Sequence, residues 1–254
     1  MEIRVLGCYG NSINGFKTTS YLINDSLLID AGAVTEFLND DQLRKIRHIL
    51  ITHSHLDHIK DLVFIVDELV MMGEFNIDLI SVKQILSIIS DDLFNNRLWP
   101  DFTVIPSKQN AIIKLREIEL EKYTEINGIT VKPILMTHTV YTVGYVVKEE
   151  NRGFMLTSDT GPTKRFWEVA RQEEGIEFII ADVSFPNRME SLAKLSGHMT
   201  MSMLIEHLER YDLGKMPIYI NHMKPVFIDE ILDELTLTKR DNIKTLQQGV
   251  TIKL

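Results

Sequence analysis

The stretch ITHSHLDHI, residues 51–59, places three histidines and an aspartate within six positions. On an extended segment, side chains two positions apart point the same way, so His53 and His55 can bind one ion. If the chain turns into a helix at Asp57, then Asp57 and His58 point elsewhere and can bind a second ion. Such a density of ligand side chains is typical of a metal site rather than of a surface turn. The stretch therefore predicts a metal centre.

Four apolar segments share one feature, which is a metal-binding side chain at the end of a predicted strand. The four segments are RHILITH (47–53), ILMTH (134–138), FMLTSD (154–159) and PIYINH (217–222). Loops at strand ends commonly carry binding sites, so we expect the four ends to meet at one site. His138, Asp159 and His222 thereby join the candidate ligands. Asp159 is the natural bridge between two ions, because a carboxylate has two oxygens.

Imidazole and carboxylate ligands without a thiolate suit zinc, manganese or iron. We expect two divalent ions, Zn²⁺ by default, with Mn²⁺ or Fe²⁺ as alternatives. A water held between two such ions is deprotonated near neutral pH and becomes a nucleophile. The ligand set therefore predicts a dinuclear hydrolase.

The composition is that of a globular protein, with 44% hydrophobic and 25% charged residues among 254. No linker-like stretch divides the chain, so we expect one domain over residues 1–254. The net charge of -9 argues against a long nucleic-acid surface, although a metal can still attract a small phosphate. One cysteine, no apolar run of membrane-spanning length and no secretory pattern predict a soluble, cytoplasmic protein.

The remaining patterns predict alternating strands and helices. Further strands are expected at IRVLG (3–7), TSYLIN (19–24), SLLIDAG (26–32), DLISV (78–82), within 112–123, at VGYVVKEE (143–150), FIIADVSF (178–185) and GVTIKL (249–254). Hairpin turns are expected at residues 24–25 and around residues 151–153. Helices are expected over residues 59–73, 83–94, 201–212 and 228–235.

The motif HxHxDH, followed by a strand-end histidine, aspartate and histidine, resembles the metallo-β-lactamase superfamily over essentially the whole chain. The resemblance implies an α/β fold, the four-layer αββα sandwich of that superfamily. It implies a first metal on His53, His55 and His138. It implies a second metal on Asp57, His58 and His222, with Asp159 bridging the two.

Shorter motifs are similar to those of class II cyclic-nucleotide phosphodiesterases. They are HLDHI (55–59), GHMT (197–200), HMKP (222–225) and the glycine-bearing first loop within LGCYGNSINGFKTTSYLI (6–23). This similarity implies cleavage of a small phosphodiester, most directly a 3′,5′-cyclic nucleotide such as cAMP or cGMP. Because relatives commonly pair, it also allows a homodimer.

Further residues have expected roles beside the ligands. His198 in GHMT would protonate the leaving alkoxide or stabilise the pentacoordinate phosphorus, and it joins Asp57 and Asp159 as a catalytic residue. Lys224 would contact phosphate oxygens or be a solvated lysine, and Thr19 is a second candidate for substrate contact.

Asp30 follows an apolar strand and would orient a ligand histidine, or else stabilise a turn. His48, His207 and Cys8 are expected to be structural or solvent-facing rather than ligands.

Three other functions remain open from the sequence. One is tRNA 3′-end processing, although no basic, glycine- and proline-rich arm is present. Another is hydrolysis of a carbon ester, lactone, thioester or β-lactam. A non-catalytic metal-binding module is a third, against which the complete set of seven ligands argues.

Overall fold

The computed structural model describes residues 1–254, which form two seven-stranded β-sheets. The first sheet has the order β14-β1-β2-β3-β4-β5-β6, with β1 Glu2–Gly7, β2 Ser20–Ile23, β3 Leu27–Ile29, β4 His48–Leu50, β5 Ile77–Ser81, β6 Ile113–Glu117 and β14 Thr251–Lys253. The second has the order β13-β12-β11-β10-β9-β8-β7, with β7 Thr124–Ile126, β8 Ile129–Leu135, β9 Val143–Glu149, β10 Arg152–Leu156, β11 Ile176–Asp182, β12 Ile218–Asn221 and β13 Ile243–Thr245.

Eight α-helices connect these strands. They are α1 Asp40–Leu43, α2 Leu56–Ile59, α3 Leu62–Met71, α4 Lys83–Ile88, α5 Arg165–Gln172, α6 Glu190–Ser196, α7 Met201–Arg210 and α8 Ile228–Thr238. A π-helical turn, Ile89–Leu93, follows α4, and short 3₁₀ turns lie at Lys108–Asn110, Asn187–Met189 and Pro225–Phe227. None of the helices has the length and apolar character needed to cross a bilayer.

Alternating side chains on the strands divide the interior into two apolar cores. On β9, Tyr145 and Val147 belong to the core between the sheets, whereas Val146 belongs to the core beneath the outer helices. The first core continues through the first sheet to the apolar side chains of α3 and α4, and α5 and α7 contribute to the second core. Each sheet is therefore covered by helices on its outer face, which confirms the expected αββα sandwich.

Several expected elements have different bounds in the structure. The helix expected over residues 59–73 corresponds to α3, which begins only at Leu62, after α2 has ended at Ile59. The Asp61 N–H donates to the carbonyl of Ala31 at 2.8 Å instead of joining the two helices. The turn between β9 and β10 lies at residues 150–151, and Glu150 has a φ of 54°. Helices α1, α5 and α6 and the short strands β7 and β13 were not predicted, since none has a long apolar pattern.

The strand directions bring the metal-binding side chains to one edge of the sandwich. β8 and β10 are both antiparallel to β9 between them, and β10, β11 and β12 are mutually parallel. These four strands therefore end at the same edge of the second sheet. The backbone N–H of Val143 donates to the carbonyl of Thr52 at 2.9 Å and joins this edge to the end of β4. Both sheets thus open onto one site.

Candidate metal centre and active site

The first group of candidate ligands consists of His53, His55, His138 and Asp159. Their ligand atoms all lie within 4.8 Å of one another. His55 Nδ1 lies 3.2 Å from His138 Nε2. His53 Nε2 lies 3.7 Å from Asp159 Oδ2 and is fully buried. One ion placed among these atoms would meet three imidazoles and one carboxylate.

The second group consists of Asp57, His58, His222 and again Asp159, with ligand atoms within the same 4.8 Å limit. His222 Nε2 lies 3.2 Å from Asp57 Oδ2 and 3.3 Å from Asp159 Oδ2. His58 Nε2 lies 3.3 Å from the other oxygen, Asp159 Oδ1. Asp159 therefore stands between the two groups, and the structure brings all seven expected ligands together.

The donor set fits divalent cations. His53 Nε2 and His58 Nε2 are buried and have no hydrogen-bond partner. A buried polar atom left unpaired costs about 1–3 kcal/mol, and a cation between the two groups would remove that cost. Burial lowers the pKa of His53, and the neighbouring charge of His58 lowers it further, so its lone pair is free to bind a metal.

Two members of the second group, His58 and Asp159, have pKa values shifted in opposite directions. Burial lowers the pKa of His58, but the carboxylates of Asp159 and Asp30 raise it by more. Burial raises the pKa of Asp159, but His222 and His58 lower it by more, so this carboxylate stays ionised. A cation that binds His58 must therefore displace a proton from it.

Asp30 fixes the orientation of the buried histidines. Its Oδ2 accepts hydrogen bonds from His58 Nδ1 at 2.7 Å and from the Thr52 hydroxyl at 2.8 Å. The Thr52 hydroxyl in turn lies 3.1 Å from His53 Nδ1. With their Nδ1 atoms held in this way, His53 and His58 direct Nε2 toward the metal groups.

The backbone of the GHMT segment fixes His138. Its Nδ1 donates to the carbonyl of Gly197 at 2.7 Å. Gly197 ends α6 with a φ of 69°, and a Cβ at this position would lie 2.8 Å from His138 Nδ1. Only glycine satisfies both the left-handed conformation and the close approach.

His222 is held by Ser184 and by its own backbone. The Ser184 hydroxyl lies 2.9 Å from His222 Nδ1 and 2.6 Å from Asp182 Oδ1. His222 has a φ of 61°, and the other site residues Asp30 and Ser158 each have a φ of 56°. Such left-handed conformations are uncommon for residues other than glycine and cluster at functional sites.

His198 lies beside both metal groups without belonging to the seven ligands. Its ring centroid is 5.0 Å from that of His138 and 5.2 Å from that of His222. Its Nδ1 donates to Asp182 Oδ2 at 2.7 Å, which leaves Nε2 without a partner in the protein. Burial lowers the pKa of His198, but Asp182 raises it by more. The arrangement can hold a proton on Nε2 at the site.

Asp182 and Ser184 were missed in the sequence. They lie in the second half of the predicted strand FIIADVSF, in which an apolar run precedes a carboxylate as it does in FMLTSD. That signal could have identified Asp182. Nothing in the sequence indicated that the Gly197 carbonyl would bind His138, because every residue has a backbone carbonyl.

Two residues were expected to contact the substrate, and the structure gives each of them surroundings that the sequence did not indicate. Lys224 Nζ donates to the carbonyl of Gly10 at 2.9 Å. Thr19 is 1% exposed, and its hydroxyl has no partner. A substrate contact by either residue stays a prediction.

The remaining histidines and the cysteine lie in other surroundings. His48 lies 3.4 Å from Asp78, between two neighbouring strands. His207 Nδ1 donates to the carbonyl of Met203, within α7, at 2.8 Å. Cys8 is buried, and its thiol lies 3.5 Å from the carbonyl of Leu246.

Comparisons with known proteins agree with this geometry. A family model described as a beta-lactamase superfamily domain matches residues 26–223, which include all seven candidate ligands. No curated protein sequence matches the chain. Among solved structures, unliganded yeast PDE1 has a TM-score of 0.82 at 17% identity, over 100% of this chain and 99% of that one.

Two further solved structures are similar. The metallo-β-lactamase fold protein YhfI from Bacillus subtilis has a TM-score of 0.77 at 16% identity, over 99% of this chain and 98% of that one. The short form of human tRNase Z has a TM-score of 0.68 at 15% identity, over 100% and 99%. At such identities the structural likeness shows the fold, while the family match covers most of the chain. The chain therefore belongs to the metallo-β-lactamase superfamily, and its two His and Asp groups fit the divalent-metal site of a hydrolase of that superfamily.

Proposed function

We propose that the protein is a dinuclear metal-dependent phosphodiesterase acting on a small phosphodiester, most directly a 3′,5′-cyclic nucleotide such as cAMP or cGMP. The observation that carries the proposal is the position of His198, which lies beside both metal groups with its Nδ1 bound to Asp182. The GHMT and HMKP segments that resemble class II phosphodiesterases supply this histidine and the ligand His222. The structural likeness to yeast PDE1 supports the same assignment.

The ligand groups divide the site between two ions. His53, His55 and His138 would hold one ion, Asp57, His58 and His222 the other, and Asp159 both. When bound, the ions would supply a deprotonated water as nucleophile and offset the negative charge on the phosphoryl oxygens. Zn²⁺ is the proposed ion, with Mn²⁺ and Fe²⁺ as alternatives that the same ligands accept.

His198 supplies the proton that the leaving group needs. When the bond between phosphorus and the 3′ oxygen of a cyclic nucleotide breaks, the departing ribose oxygen gains negative charge. His198 Nε2 donates a proton to that oxygen and yields the 5′-monophosphate. Asp182 accepts from Nδ1 and keeps the ring oriented and charged, which a general acid at this position requires.

Metal analysis followed by a substrate panel tests the proposal. The panel contains 3′,5′- and 2′,3′-cyclic nucleotides, bis(p-nitrophenyl) phosphate, a lactone and a β-lactam. We expect two metal equivalents per chain and the highest kcat/KM on a 3′,5′-cyclic nucleotide. Activity confined to the lactone or the β-lactam would show a carbon hydrolase instead. A protein that takes up no metal would refute the dinuclear site itself.

A further inference from the structure

The loop of residues 10–17, here called the first loop, begins beside the metal ligand His222. The backbone N–H of His222 donates to the carbonyl of Cys8 at 2.7 Å, and that of Gly10 donates to the carbonyl of Met223 at 3.1 Å. Lys224 Nζ adds a third link by donating to the carbonyl of Gly10 at 2.9 Å. The start of the first loop is thus fastened to the HMKP segment, and Lys224 provides the one side-chain link among the three.

The far end of the first loop is fastened separately. The backbone N–H of Lys17 donates to Gln248 Oε1 at 2.9 Å, and Gln248 Nε2 donates to the carbonyl of Gly15 at 3.0 Å. Lys17 also forms an ion pair with Glu36. Between these two ends, residues 11–15 are all exposed. The conformation of this exposed tip therefore depends on its two attachments.

Gly10 packs closely against the candidate metal ligand His222. A Cβ added at Gly10 would lie 2.8 Å from the carbonyl oxygen of His222 and 2.9 Å from two atoms of its ring. The backbone of the loop is therefore packed directly against a candidate metal ligand. Any displacement of Gly10 toward the site would move His222.

We propose that Lys224 is a positioning residue, whose ammonium holds the Gly10 carbonyl and so fixes the first loop beside His222. The loop then forms one wall around whatever binds at the metal centre. This role differs from the phosphate contact that the sequence suggested for Lys224. The positioning role depends on the proposed function only in assuming that the ligand beside the first loop is a phosphodiester.

Hydrogen exchange of the metal-loaded protein tests the attachment. The amide of Gly10 is hydrogen-bonded to Met223, and that of Phe16 to Ile13 within the loop. Lys224→Met keeps the length of the side chain and removes its donor, so we expect these two amides to exchange roughly tenfold faster. Lys224→Arg restores a donor and should restore slow exchange. Lys215→Met, at an exposed lysine outside both the first loop and the HMKP segment, is the matched control and should change nothing.

Binding of inorganic phosphate to the same metal-loaded variants separates positioning from anion contact. A positioning role predicts that Lys224→Met weakens phosphate affinity by less than about threefold, which is the range for loss of one partly screened charge. Unchanged exchange in Lys224→Met would overturn the proposal, and so would a loss of phosphate affinity greater than about threefold. Neither measurement uses turnover, so an inactive protein in the substrate panel would refute the phosphodiesterase assignment without deciding this one.

Discussion

Asp30 and His58 form a buried pair in which His58 Nδ1 donates to Asp30 Oδ2 at 2.7 Å, and both side chains are fully buried. His58 belongs to the second metal group, and Asp30 lies behind that group without belonging to it. Since Nδ1 is occupied, His58 can offer only Nε2 to an ion. The pair therefore controls both the protonation and the direction of one proposed ligand.

Replacing Asp30 should weaken the second metal more than the first. Asparagine tolerates the left-handed backbone of position 30, so Asp30→Asn preserves the turn while it removes the charge on the acceptor. We expect a loss of roughly 10- to 100-fold in affinity for the second ion, measured by metal titration of the chelator-treated protein. Asp78→Asn, whose partner His48 lies outside the site, is the control. Equal affinities in the two variants would contradict the orienting role.

Gly197→Ala should displace His138 and lower occupancy of the first metal. The added Cβ would lie 2.8 Å from His138 Nδ1, and the φ of 69° is unfavourable for alanine. Gly73→Ala is a matched control, because Gly73 has a φ of 77° but no atom near its Cβ position. Both variants should lose about 1 kcal/mol of unfolding free energy from backbone conformation. Only Gly197→Ala should also lose metal, as measured by elemental analysis, and equal metal content would refute the packing argument.

The loss of activity in His198→Ala should depend on the leaving group of the substrate. With a ribose oxygen as leaving group, we expect kcat to fall by about 10²- to 10⁴-fold, because no other group supplies the proton. With p-nitrophenolate, which leaves without protonation, the loss should be far smaller. Metal content should be unchanged. His207→Ala, at a buried histidine within α7, controls for general effects of removing an imidazole. Equal losses on both substrates would argue against a proton-donor role.

Glu173 should contribute stability that depends on pH. Its carboxylate accepts hydrogen bonds from Lys132, Lys148 and Tyr123. Burial raises the pKa of Glu173, but the bonds from Lys132 and Lys148 lower it by more, from 4.5 to about 2. Because the folded pKa is the lower one, the stabilisation is complete above pH 4.5 and is lost as the pH falls toward 2.

Glu173→Gln measures this contribution. We expect the variant to lose about 1–2 kcal/mol of unfolding free energy at pH 7, after allowance for solvent screening. The difference from the unmodified protein, followed by urea denaturation, should shrink as the pH falls from 4.5 toward 2. Glu177→Gln, which removes an exposed pair with Arg152, should cost much less. A constant difference across that pH range would show that ionisation of Glu173 is not the cause.

The sequence was most informative where an apolar strand pattern ends on a metal-binding residue, because parallel strands end at the same edge of a sheet. An apolar strand before His138, Asp159 or His222 specifies both the strand and the edge where it ends, so the convergence of these side chains could be predicted. The sandwich followed from the resemblance to the superfamily, and metal binding by the seven side chains stays a prediction. The break between α2 and α3 could not be predicted, because it depends on Asp61 bonding to Ala31 across thirty positions. The partner of Lys224 is a backbone carbonyl 214 positions away, which no side-chain pattern reports.

The left-handed turns at Asp30, Ser158 and His222 have a consequence for metal choice. Each conformation is costly for a side-chain-bearing residue and persists only because the surrounding fold enforces it. Of the three residues only His222 is a candidate ligand, while Asp30 supports His58 and Ser158 precedes Asp159. A constrained backbone at these positions limits how far the ligand atoms can shift, so we expect the site to discriminate among divalent cations by their radius.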